Sequence, residues 1–315
     1  MLVHLNGQLV PAESAKVSVF DRGFLFGDGV YEGLRSTAGP AGPEVVGLDL
    51  HIQRMRDGLE EARIRGFDPA RLGPIIRELL EAQGLVESFI YSQVTRGTPT
   101  GKQGTERPRV VRQPGPPTVL AYAMPLTGVS DCRAPECKKV ALRPDTRWTR
   151  GRLKSISLLG GVLAAIEADE QGADDAIMFR DGLITEGTAT NVFLKINGEM
   201  VTPSLDSAPI LAGVTRALIL RDDPAIRERP VRVEELSRAE EVMLVGTKTM
   251  VVSISQIDGT PVGASASRAF GPGPASIELL QTLKRAIDAD IRAQHARRIA
   301  AASPAARPAG AARHA

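Results

Sequence analysis

The 315-residue chain contains two cysteines, three tyrosines and one tryptophan, and its opposite charges almost cancel to a formal +2. Two thiols, Cys132 and Cys137, define neither a disulfide scaffold nor a zinc site, and they read as reduced and incidental. A charge so near balance gives no reason to expect a nucleic-acid partner. No apolar run reaches membrane-spanning length, and the opening MLVHLNGQLVP lacks a basic stretch followed by an apolar core. These absences point to a cytoplasmic protein that touches neither membrane nor nucleic acid. Lysine is scarce beside arginine, so a lysine in an unusual setting stands out. What is present is an ordinary globular composition, 43% apolar and 24% charged. The length suffices for two domains with separate cores.

Local patterns lay out the elements. Asn6-Gly7 predicts a hairpin between Leu2–Leu5 and Gln8–Val10. The glycine-rich run FDRGFLFGDGVYEGLR (20–35) leads into a strand over Val30–Ser36. With Asp49 as N-cap, Leu48, Ile52, Met55, Leu59 and Ala62 recur at helical spacing, and His51, Arg54 and Gly58 share the next stripe. Asp68-Pro69 opens a second helix that stops near Gly84. Strands at Phe89–Thr95 and Thr118–Met124 flank a long loop, Gly97–Pro117, and loops of such length inside a compact domain are often functional.

A boundary near Pro125–Asp131 divides an N-terminal α/β domain, 1–125, from a larger C-terminal domain, 126–296. The second holds a strand at Lys138–Leu142, a small-residue helix over Leu158–Gln171 ended by Gly172, and hairpins turning at Asp181-Gly182 and Asn197-Gly198. A short helix Val214–Arg221, strands Val242–Val245 and Val251–Ile257, and a helix from Pro274 follow. The hairpins imply an antiparallel, barrel-like sheet, so the class is α+β. The Ala/Arg/Pro stretch 297–315 cannot bury much surface and reads as a disordered tail.

Chemistry concentrates in two segments. Lys154 sits in RLKSISLLGG (152–161), a stretch otherwise suited to burial. A lysine among apolar neighbours loses solvation, and its neutral amine can then form a Schiff base. Glu186 lies in TEGTATNVF (185–193), between the two hairpins. A carboxylate beside a protonated ring nitrogen is the other part that pyridoxal phosphate (PLP) chemistry needs. A lone lysine is most often a snorkelling surface residue, but the two segments together reverse that reading.

Lys154, Glu186-Gly-Thr-Ala-Thr-Asn191-Val-Phe and Gly213-Val-Thr-Arg216 together resemble the class IV aminotransferases, the fold-type IV group of PLP enzymes. The resemblance runs from about Leu2 to Ala289 and is nearest to the D-amino-acid aminotransferases, through 20–32, Gln93–Thr98, Arg147-Trp148 and 154–164. It implies that Lys154 forms the Schiff base with PLP and shuttles the proton at the substrate Cα. It implies that Glu186 pairs with the pyridinium nitrogen, that Arg147 orients this arrangement, and that Leu211 packs on a ring face. Arg54, the amides of Val214 and Thr215 at a helix start, and Thr247 would bind the phosphate. A homodimer with the cofactor between domains is implied as well, acting on a small amino acid and a 2-oxo acid such as 2-oxoglutarate.

The pattern also departs from the family. D-amino-acid enzymes hold the substrate carboxylate with a Tyr and an Arg-x-His; Tyr31 matches the Tyr, but Gly101 and Gln103 stand where Arg and His would fall. Branched-chain enzymes carry Tyr-x-Arg near this strand, where Val94 and Arg96 stand here. Arg96, Lys102, Arg107, Arg109 and Lys248 are the basic candidates for a different clamp, with Arg35 beside them. An L-branched-chain aminotransferase and an aminodeoxychorismate-type lyase are the alternative activities.

Overall fold

The structure, a computed structural model, describes residues 1–263 and 271–302. The first half builds one six-stranded antiparallel sheet from β1 (Leu2–Leu5), β2 (Gln8–Pro11), β3 (Gly29–Gly39), β4 (Gly42–Val45), β5 (Ser88–Thr95) and β6 (Thr118–Pro125). Their order across the sheet is β2-β1-β6-β5-β3-β4. Helix α1 (Arg22–Phe26) precedes β3, and α2 (Leu48–Glu61) and α3 (Leu72–Gln83) lie between β4 and β5. Strand alternation turns Leu34, Ile90, Val94 and Ala121 to one side, where Met55, Leu59, Ile76 and Leu79 of the two helices close a core. The opposite face of this sheet carries half-buried Tyr31, Phe89, Tyr91 and Tyr122.

The second half builds a nine-stranded sheet from β7 (Glu136–Pro144), β8 (Asp175–Arg180), β9 (Leu183–Gly187), β10 (Asn191–Ile196), β11 (Glu199–Pro203), β12 (Arg227–Arg229), β13 (Glu241–Gly246), β14 (Met250–Ile257) and β15 (Thr260–Pro261). Asp181-Gly182 and Asn197-Gly198 all have positive φ, which the tight hairpin turns require. The sheet curls so that β9 packs back against β10. Helix α4 (Leu159–Asp169) covers β7 and β8, while α5 (Val214–Asp222) and α6 (Pro274–Ala302) pack together against β13. The two sheets divide in sequence between Pro125 and Glu136.

Several expectations need correction. Gly47, in the left-handed region, precedes α2 in place of Asp49, which falls in the first turn. Helix α1 and strand β4 are too short for hydrophobic periodicity to reveal. The curled sheet is mixed: β7 joins β8 and β14 in parallel, because long connections bring it beside them, and β11 pairs with β12 in parallel. The tail does not begin at 297, because α6 continues to Ala302. Its polar face reaches the first sheet, where Asp290 accepts from the Gly47 amide at 2.7 Å and Gln294 donates to the Val45 carbonyl at 2.9 Å. Positions 303–315 lie outside the described residues.

Candidate active site

The segment around Lys154 joins the two sheets. Tyr31 N–H donates to the Lys154 carbonyl at 3.0 Å, and Ile156 N–H donates to the Gly29 carbonyl at 3.1 Å. The segment therefore lies along the free edge of β3 as a short extra strand, bridged at Val30 and Ser155. Gly29 is required there, because a Cβ would meet the Val94 carbonyl at 2.8 Å. Backbone pairing thus fixes the lysine against its neighbour, and Nζ stands 4.3 Å from the Tyr31 ring centroid.

Glu186, near the end of β9, is buried and held by three donors. Arg147 Nη1 donates to Oε1 at 2.5 Å, while Leu211 N–H and Asn191 Nδ2 donate to Oε2 at 3.0 and 3.2 Å. Burial pushes the Glu186 carboxyl above its ordinary value, and Arg147 only partly opposes it. Arg147 divides its fork: Nε and Nη2 go to Asp145 at 2.9 and 2.7 Å. Burial works against both of these charges, but their mutual bonds hold Asp145 below and Arg147 above their ordinary values.

A second buried carboxylate, Glu32, faces α2. Its oxygens accept from Arg54 Nε at 2.9 Å and Nη2 at 2.5 Å, and His51 Nδ1 lies 2.6 Å away. Burial opposes ionisation, yet Arg54 and His51 pull the Glu32 carboxyl down to about 2. Burial pushes His51 below its ordinary value, opposed by the Glu32 carboxylate beside its Nδ1. The remaining Arg54 nitrogen, Nη1, donates to the Ala212 carbonyl at 2.8 Å.

Ala212 links the two carboxylates. On one side of it, Leu211 N–H touches Glu186; on the other, Gly213 opens α5 without a side-chain cap. A Cβ on Gly213 would meet Asn191 Oδ1 at 2.0 Å, so only glycine lets Asn191 reach Glu186 while the helix starts there. Val214, Thr215, Thr247, His51 and Arg35 line one small cavity beside this helix start. The Thr247 hydroxyl donates to the Gly33 carbonyl at 3.2 Å, and Arg35 pins the same turn through the Thr247 and Lys248 carbonyls at 3.1 and 3.2 Å.

Uncapped amides at a helix start favour an anion, and Arg54, held by Glu32 and the Ala212 carbonyl, lies next to them. A ligand with an aldehyde, a basic ring nitrogen and a phosphate fits the three holders: Lys154, Glu186 and the Arg54–α5 corner.

The basic candidates for a carboxylate clamp fare differently. Arg96 is committed to both Asp28 oxygens at 2.8 and 2.9 Å and to the Ala62 and Arg63 carbonyls at 2.8 Å. Arg107 lies 4.4 Å from the Phe26 ring centroid. Lys102 and Arg109 are exposed on the 97–117 loop, whose Pro108 and Arg109 carbonyls are clasped by buried Arg22. Lys248 is exposed, its Nζ 5.5 Å from the Phe89 ring centroid. Sequence reasoning missed Glu32, Asp145 and Asn191 as parts of the site. The signal for Glu32 was its alternation with Tyr31, which turns it toward the His51–Arg54 stripe.

An arrangement of this kind would suit pyridoxal phosphate. The family profile of amino-transferase class IV matches residues 29–257. The chain belongs to that family, and it is a PLP-dependent aminotransferase. It is 32% identical over 300 residues to D-alanine aminotransferase of Bacillus licheniformis, covering 91% of this chain and 97% of that one. It is 34% identical over 268 residues to D-alanine aminotransferase of Staphylococcus epidermidis, covering 82% and 90%. Among solved structures it resembles the branched-chain aminotransferase of Thermoproteus uzoniensis with norvaline, at TM-score 0.77 and 26% identity, covering 92% and 95%.

Proposed function

We propose that this aminotransferase moves the amino group of a small amino acid, in its D form, to a 2-oxo acid such as 2-oxoglutarate. The observation that carries the mechanism is the Lys154 amine against Tyr31, with Glu186 held in a separate buried cradle. PLP supplies an aldehyde for amines and a ring that accepts the electron pair left when the donor's Cα loses its proton. Lys154 Nζ takes that proton and returns it during transfer to the acceptor. Glu186 keeps the ring nitrogen protonated, and Arg147 orients Glu186 while Asp145 holds Arg147. Arg54, the Val214 and Thr215 amides and Thr247 bind the phosphate, and Leu211 supports a ring face.

Tyr31 bounds the donor's position, and the carboxylate is recognised by the 97–117 loop. Lys102 and Arg109 fit that task more readily than Arg96, whose donors are already engaged with Asp28, Ala62 and Arg63. Lys248 is a further contact.

The D reading draws on the similarity to D-alanine aminotransferases. Gly101 and Gln103, standing in place of Arg and His, favour the second reading, an L-branched-chain donor. Supplying D- and L-alanine and D- and L-leucine with 2-oxoglutarate tests this. Consumption of the D hand supports the first reading; consumption of L-leucine alone contradicts it.

The enzyme is proposed to be a cytoplasmic homodimer. Leu159, Val162, Leu163 and Ile166 form an exposed apolar stripe on α4, which a second copy would cover. Sedimentation should give twice the chain mass; a monomer would remove the proposal.

A further inference from the structure

A cavity of about 520 Å³ lies apart from Lys154, Glu186 and Arg54, none of which lines it. It sits on the helix side of the first sheet, at the foot of the 97–117 loop. His4 marks the side: it pairs with Ala121, which belongs to the core closed by α2 and α3, whereas Tyr31 stands on the opposite face.

The walls come from parts of the chain that are pressed together. Phe67 and Ile75 form the helix side, and Pro116 and Pro117 form the side made by the end of the loop. Gly97 has a φ of 72°, and a Cβ there would collide with the Pro116 carbonyl. Gly66 has a φ of 92°, and a Cβ there would meet Pro117 Cδ at 3.0 Å. Glycine at both positions lets the loop stem close on itself and rest against the turn before α3. The cavity is therefore preformed, with apolar walls and a volume in the range that small-molecule sites occupy.

Charge selects the occupant. Lys16 and Arg71 line the cavity with their exposed side chains, and no aspartate or glutamate does. Among the described residues neither cation makes an ion pair. Two exposed cations alone would be a solvated rim, but a polar floor lies with them. His4 lines the same cavity at 3% exposure, and its Nδ1 is cut off from water with no hydrogen-bond partner. Buried polar groups are nearly always bonded, so an imidazole with unused capacity calls for a polar atom nearby. Glu78 also acts on His4, but it does not line the cavity, and Arg71 opposes it.

We propose that this cavity binds a small organic anion, its acidic group beside Lys16, Arg71 and His4 and its apolar body against Phe67, Ile75 and Pro117. The site is separate from transamination and does not depend on the choice of amino donor.

Calorimetric titration of the PLP-loaded holoenzyme tests it with phenylacetate, phenyl phosphate, acetate and inorganic phosphate. At least one phenyl-bearing anion should bind about ten-fold or more tighter than its bare counterpart, because the ring is buried. Exposed ion pairs are each worth only a few-fold, so Lys16→Ala and Arg71→Ala together should weaken that binding about ten-fold. Transamination rates in this double variant should match those of the native enzyme. The His4 ring resonance of histidine-labelled holoenzyme, assigned with His4→Gln, should move with the same affinity. Should His4→Gln fail to fold, the histidine resonance displaced by the double variant identifies it. An anion entering the transaminase site instead would change the PLP absorption band equally in native protein and double variant. That equality, with a His4 resonance that stays still, overturns the proposal. So does native-like affinity in the double variant, or equal binding of bare and phenyl-bearing anions. Absence of binding by both phenyl-bearing anions overturns it as well.

Discussion

Glu32 and Glu186 are both buried glutamates bonded to an arginine, yet their carboxyls shift in opposite directions. Glu32 receives two nitrogens of Arg54 and one of His51, and falls to about 2. Glu186 receives a single nitrogen of Arg147, because Asp145 takes the other two used by that fork, and burial leaves it raised. Each carboxylate has three hydrogen-bond partners, but two guanidinium nitrogens reach Glu32 and only one reaches Glu186, whose other two donors are neutral amides. Glu32 is a saturated ion pair that holds Arg54 in place. Glu186 retains proton affinity, and a ligand ring nitrogen beside it can share a proton. On the proposed reading, the first glutamate serves structure and the second serves the ligand.

The largest expected effect leaves both glutamates untouched. Lys154→Ala should abolish transamination, a loss of about a thousand-fold or more, as expected for a group that moves the proton. Borohydride treatment of the native holoenzyme should fix the pyridoxyl group to Lys154; mapping it to another lysine would sink the assignment. Glu186→Gln comes next. Removing an opposite charge at bonding distance shifts a ring pKa by about 1–3 units, so the half-reaction should slow about a hundred-fold while cofactor stays bound. Single-turnover rates equal to those of the native enzyme would place Glu186 with Glu32.

Glu32→Gln should act on stability instead. Breaking one side of a buried pair typically costs about 3–5 kcal/mol, and Arg54 would lose its anchor. Apo-protein denaturation should show that loss, with weaker PLP affinity alongside it. Unchanged stability would contradict the saturated-pair reading.

Acid titration sharpens the same contrast. The folded carboxyl of Glu32 lies below its unfolded value, so its contribution is present above about 4.5 and disappears as pH falls toward 2. The full difference corresponds to about 3 kcal/mol. Glu186 has the opposite sign: its ionised form is disfavoured by folding, so protonating it relieves a cost. Native protein should therefore lose stability between pH 4.5 and 2 more steeply than Glu32→Gln. Parallel profiles would refute the assignment. The smallest effects belong to the loop, where Lys102→Ala and Arg109→Ala should each raise the amino-acid KM a few-fold with PLP occupancy intact.

Much of this contrast was legible before any coordinates. Lys154 and Glu186 stand out through their settings, a stretch suited to burial and a segment between two hairpins, whereas Arg54 and the Gly213-Val214-Thr215 corner are named through the family resemblance. The hairpin turns and most strands followed from Asn-Gly, Asp-Gly and alternation. Glu32 was missed although its alternation with Tyr31 turns it toward the His51–Arg54 stripe, whereas Asp145 meets Arg147 through irregular backbone that no spacing rule encodes. The parallel joins of β7 were hidden for the same reason. The last turns of α6 were misread as disordered from their composition: residues 296–301 are indeed exposed, yet they remain helical, and Arg297 meets Asp49 at 2.8 Å.

The central claim is that Glu186, unlike Glu32, is reserved for the ligand's ring nitrogen. Nitrogen-15 NMR of the holoenzyme loaded with ring-labelled PLP tests it directly, read in native protein, Glu186→Gln and Glu32→Gln. A protonated ring nitrogen in native protein and Glu32→Gln, lost in Glu186→Gln, is the predicted result. The same nitrogen shift in native protein and Glu186→Gln would contradict it.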